Sequence, residues 1–72
     1  LREAEIFVVQ SASLDVRSGP ALSFSTVRKL SATTLVFSGG ESRVDQNGKR
    51  WQQIEFGNDD MGWSPSEDLL AL

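Results

Sequence analysis

Apolar residues in this chain nowhere recur at i, i+3, i+4 and i+7 for long enough to suggest an amphipathic helix. What recurs is short β-like runs broken by turn residues. Ile6-Phe7-Val8-Val9 is a β-branched and aromatic run. Leu14 and Val16 alternate with Asp15 and Arg17, the period of a half-covered strand, and Ser18-Gly19-Pro20 stops that pattern. Val27 and Leu30 mark a third segment. Leu35 and Phe37 alternate, and Gly39-Gly40 ends their run. Farther on, Gln52, Ile54 and Phe56 share one strand face, and Trp51, Gln53 and Glu55 share the other. Met61-Gly62-Trp63 follows the hairpin-turn residues Gly57-Asn58-Asp59-Asp60, and Leu69, Leu70 and Leu72 close the chain. Five to seven short strands with frequent turn signals predict an all-β sandwich or small barrel. The pattern buries Leu14, Val16, Leu35, Phe37 and Ile54 together.

One stretch carries helix chemistry. In Ser64-Pro65-Ser66-Glu67 a serine precedes a glutamate by three positions, the spacing of a capping box. Pro65 falls at the first helical position, where a missing N–H costs nothing. Too few residues remain before Leu69 for more than one 3-10 turn near Pro65. The segment after Gly19-Pro20 reads as a long loop with Phe24 as its anchor. Gly19 is assigned there for its tolerance of positive φ. Arg17 and Asp15, two positions apart on one strand face, are expected to form a surface pair.

Composition narrows the picture further. Seventy-two residues make a single domain, residues 1–72, too small to bury much more than about 60% of its unfolded surface. A start at Leu1 suggests a domain excised from a longer protein. There is no cysteine, hence no disulfide and no thiolate metal site. A net charge of -3 argues against nucleic acid or an anionic membrane as a partner. No apolar run approaches the roughly 18 residues of a membrane span, so no membrane insertion is expected.

The string "LDVRSGPALSFSTVRKLSATTLVFSGGE" resembles the start of the bacterial Src-homology-3-like (SH3b) family. "NGKRWQQIEF" resembles that family's following strand, and "MGWSPSEDLL" its G-W-x-x-S-x-x-L ending. The likeness runs from about residue 5 to residue 70. Three departures stand out: Ala32 replaces a common turn glycine, residues 39–50 form a long loop, and Ser64 replaces a usual apolar residue. The resemblance implies an SH3-like barrel of five to six short antiparallel strands used as a binding or targeting module. Many such modules belong to cell-wall hydrolases or other envelope proteins, and some bind peptidoglycan peptides. The implied partner is therefore bacterial cell-wall peptide or another protein or peptide segment. The bacterial envelope or exterior is favoured as location on that ground alone. As an isolated domain the chain is expected to be a monomer, with no cofactor.

Candidate ligand-binding residues are Trp51, Trp63, Pro65 and Asp68. Alternation places Trp51 opposite Ile54 and Phe56, so an inward Ile54 turns the indole outward as a rigid recognition surface. A bulge or the long loop covering Trp51 would reverse that. "GWSPSEDL" resembles the eukaryotic G-Y-x-P-S-x-Y-V ending, whose aromatic, proline and tyrosine line a proline-peptide groove. Trp63 and Pro65 match, but Asp68 stands at the tyrosine position and the chain has no tyrosine at all. Polyproline recognition needs several aromatic ridges and is disfavoured. The alternative for Trp63 is packing over the barrel end.

The carboxylates Asp59, Asp60, Glu67 and Asp68 suit turn and capping roles better than attraction of a ligand amine. Their spacing lacks the alternating oxygens of a calcium loop. Lys49-Arg50-Trp51 is too small a basic cluster to carry nucleic-acid binding in an acidic domain. Gly39-Gly40 lacks the lysine and helix of a phosphate loop. With no histidine and no cysteine, and no deep cleft expected to raise a carboxylate pKa, no catalytic residue is assigned.

Overall fold

A computed structural model describes residues 5–57 and 60–72 of the chain. Seven strands form in it: β1 (Ile6–Val9), β2 (Ser13–Arg17), β3 (Thr26–Ser31), β4 (Leu35–Val44), β5 (Arg50–Glu55), β6 (Met61–Pro65) and β7 (Leu69–Ala71). A 3-10 turn, Ser66–Asp68, separates the last two. All neighbours pair antiparallel, in the order β3-β2-β6-β5-β4-β1-β7, and the sheet is not closed.

Seven strands lie within the five to seven that the pattern predicts and exceed the five to six that the SH3-like resemblance implies; what the pattern hides is how far β4 runs. Gly39-Gly40 does not end it. Gly40 takes φ +95°, a left-handed value that suits glycine. The register with β5 slips between Ser38↔Ile54 and Ser42↔Gln52, so the glycines make a bulge and the strand continues to Val44. The expected long loop at residues 39–50 shrinks to a five-residue turn, 45–49, closed by the Asp45 N–H on the Lys49 carbonyl at 2.9 Å. Gly48 supplies its left-handed residue at φ +81°.

The core gathers Val9, Leu14, Val16, Val36, Ile54 and Leu69, with Phe7, Leu30 and Phe56 packed against it. These side chains come from strands at both ends of the sheet order. The sheet must therefore curl to bring them together. Leu14, Val16 and Ile54 are buried as their alternation predicts. Leu35 and Phe37 are not: they are 61% and 50% exposed, while Val36 between them is buried. The β1–β4 register gives the reason. Val36 lies opposite Phe7 on the core side, so its neighbours Leu35 and Phe37 turn outward with Val8 and Ile6. A run apolar on both faces does not reveal its parity by alternation; the pairing with β1 sets it.

Other local expectations change as well. The capping box does not form: Pro65 itself flanks the 3-10 turn, with no side-chain cap. The Ser64 hydroxyl, fully buried, donates instead to the Pro65 carbonyl at 3.0 Å. Asp15 pairs across the ladder with Lys29 at 3.6 Å rather than with Arg17. Arg17 Nη1 donates to the carbonyls of Phe24 at 2.9 Å and Leu22 at 3.3 Å. Gly19 is not in the left-handed region; a Cβ there would sit 2.6 Å from the Phe24 ring. Phe24 thus anchors its loop by lying on a glycine. The turn residues Asn58 and Asp59 lie outside the described residues.

Candidate functional site

Register decides where the four candidate residues sit. Across β5 and β6, Trp51 lies opposite Pro65, Gln53 opposite Trp63 and Glu55 opposite Met61. Directly opposed residues of an antiparallel pair share a face. Trp51, Pro65 and Trp63 therefore occupy one face, the one turned away from Ile54.

That face is not open. Trp51 is 0% exposed, Trp63 is 9% exposed and Pro65 is buried. The expectation of an outward, accessible Trp51 is thus corrected: its parity is as expected, but it is covered. The 45–49 turn folds onto it. Asp45 accepts the Trp51 Nε1–H through Oδ2 at 3.0 Å. Its Oδ1 accepts the backbone N–H groups of Asn47 and Lys49, both at 2.9 Å. The Lys49 ammonium lies 5.7 Å from the indole centroid and pairs with Glu67 at 3.8 Å. Asp68 sits on the 3-10 turn, half-buried, and accepts from the Ser11 hydroxyl at 2.6 Å. The four residues do not combine into one open groove.

Asp45 holds this arrangement together. The Trp51 hydrogen bond, then the Lys49 and Asn47 amides, all favour its charged form and hold its carboxyl below the usual aspartate range. Sequence reasoning missed it. The available signal was Asp45 two residues before Asn47-Gly48, an Asx-turn pattern entering a tight hairpin.

Beside Asp45 a cleft of about 390 Å³ opens between two loops. Pro20, Ala21, Leu22 and Ser23 form one wall, and Asp45, Gln46 and Asn47 form the other. The first wall is held by Arg17 and by Phe24 on Gly19; the second is the turn locked onto Trp51. Leu22 is 56% exposed. Among the described residues, the Gln46 and Asn47 side chains have no hydrogen-bond partner within the chain. An apolar wall facing two free amides suits a ligand with both an aliphatic group and peptide-like polar groups.

Compared with family models, with curated proteins and with solved structures, the chain matches none. Its function rests on the geometry above and on the motifs in its sequence. Among the described residues no cluster of three or more His, Cys, Asp or Glu is placed to hold a metal ion, and no helix is long and apolar enough to cross a membrane.

Proposed function

We propose that this chain is a non-catalytic SH3-like binding module that takes a peptide-like ligand in the cleft between residues 20–23 and 45–47. Bacterial cell-wall peptide is the favoured ligand, on the SH3b resemblance. The observation that carries the reading is the cleft itself. It has an aliphatic wall and an amide wall, the second stiffened by the Trp51–Asp45 bond. Short antiparallel strands curled around one core, with a single 3-10 turn after Pro65, support the SH3-like assignment. In this reading Trp51, Trp63 and Pro65 position the cleft walls rather than touch the ligand, and Asp68 ties the 3-10 turn to Ser11. Affinity is modest, because so shallow a site buries little surface.

Retention on purified cell-wall sacculi tests it. The wild-type domain is expected to be retained, and Leu22→Ser with Gln46→Ala to lose most of that retention at unchanged melting temperature. Equal retention of the double variant would remove the cleft. No retention of the wild type would remove the cell-wall ligand. A second reading, an interaction domain that orients a neighbouring domain with no cell-wall role, is favoured by one observation: a broad apolar sheet face is bare.

A further inference from the structure

The bare face lies on β4, β1 and β7, and register lays it out in two rows. Leu70, Val8 and Leu35 are mutually opposed across the three strands. Ile6 opposes Phe37, and the Leu72 N–H bonded to the Ile6 carbonyl at 3.0 Å extends that row to Leu72. Leu35, Phe37, Leu70 and Leu72 are 61%, 50%, 51% and 74% exposed. Their opposite faces are apolar too, since Phe7, Val9, Val36 and Leu69 pack in the core. Strands apolar on both faces are those of a sheet covered on both sides, whereas a sheet with one wet face alternates. Among the described residues nothing covers the outer side here.

The charge around the face narrows what covers it. Glu55 lies opposite Phe37 on β5 and lines a depression of about 330 Å³ with Leu35, Phe37, Phe56 and Gly57. Among the described residues no cation lies within ion-pair distance of Glu55. Arg28 is engaged over the Phe56 ring at 5.4 Å and with Asp60 at 3.7 Å. A second copy of the chain is a poor occupant. Two such faces together would bury on the order of 800–1,000 Å², short of what a stable dimer needs. They would also bring two Glu55 carboxylates and two net charges of -3 together.

We infer that this face docks a protein segment that presents aliphatic or aromatic side chains to Leu35, Phe37 and Leu70 and an arginine or lysine to Glu55. The inference deepens the second reading above and is independent of the cleft. The basic residue satisfies Glu55, which borders the apolar rows without an ion-pair partner among the described residues, and the domain's negative charge steers such a segment toward it. Apolar area supplies the affinity and the ion pair selects the partner's charge.

Selection of a random dodecapeptide phage library on the immobilised wild-type domain tests this. The expected winners combine apolar residues with an arginine or lysine. Their synthetic forms should bind Phe37→Ser and Leu70→Ser about 10-fold more weakly, and Glu55→Lys at least as weakly, while Leu22→Ser with Gln46→Ala binds normally. Both serine variants alter exposed positions, and their melting curves check that the fold is intact. The inference is overturned if no peptide is enriched, if the winners are acidic, or if they respond to the cleft variant instead of Phe37. It is also overturned if sedimentation shows a wild-type dimer that Phe37→Ser dissolves, since the face would then belong to a second copy.

Discussion

The outward face of this sheet has two halves with opposite fates. On β5 and β6 it carries Trp51, Trp63 and Pro65, which are buried. On β4, β1 and β7 it carries Leu35, Phe37, Leu70 and Leu72, which lie open. Strand alternation alone treats both halves alike. What separates them is a five-residue turn with one aspartate: Asp45 both caps its own turn and accepts the Trp51 indole N–H, so the turn lies down on the tryptophan. Among the described residues no loop covers Leu35, Phe37, Leu70 or Leu72 in this way. The first half has become a second small packing layer and the second half a docking surface.

Substitutions can break that contrast, beginning with the largest effect. Trp51→Ala should cost about 3–5 kcal/mol in a denaturant titration, because it empties a fully buried site. For a domain this small that is most of the folding free energy. Gly62→Ala comes next. An added Cβ there would collide with Val16 and lie 3.1 Å from the Arg17 carbonyl and 3.3 Å from Phe56. Overpacking of this kind costs about 1–3 kcal/mol and should appear as a lowered denaturation midpoint.

Asp45→Ala should lower the melting temperature at neutral pH, and the difference should depend on pH. The carboxyl is held below its ordinary range in the folded chain. Its contribution is therefore fully present above the unfolded aspartate value and is lost as pH falls through the folded one. Melting curves of wild type and variant should converge in acid; a constant gap down to low pH would deny Asp45 its role. The smallest effect belongs to the other half of the face. Phe37→Ser should change stability by no more than about 0.5 kcal/mol, as exposed positions do. A loss of several kcal/mol on Phe37→Ser would mean that the two halves are alike after all.

How much of this was legible in the sequence differs from element to element. β1 and β2 were plain, because Ile6–Val9 is apolar throughout and Leu14 and Val16 alternate between flanking turn signals. The 3-10 turn was legible from Pro65 and the few residues before Leu69, although its expected serine cap is absent. The extent of β4 was not, because Gly39-Gly40 reads equally as a terminator or a bulge and only pairing with β5 decides. The parity of Leu35-Val36-Phe37 was hidden for a different reason: three apolar residues in a row fit either face, and the choice comes from Phe7 on another strand. The site suffered most. The face shared by Trp51, Trp63 and Pro65 follows from alternation and register. The burial of Trp51 depends on a hydrogen bond that Asp45, six residues earlier, accepts from the indole N–H; the Asx-turn pattern before Asn47-Gly48 announces the turn but not that contact.

The central claim is that Trp51 is sealed under the 45–49 turn. Acrylamide quenching of the Trp63→Phe variant, whose only indole is Trp51, measures it directly. A covered Trp51 gives blue-shifted emission and weak quenching that rises toward that of a free indole when Asp45→Ala is added. Red-shifted emission with strong quenching in the Trp63→Phe variant alone would contradict the account and return Trp51 to the surface.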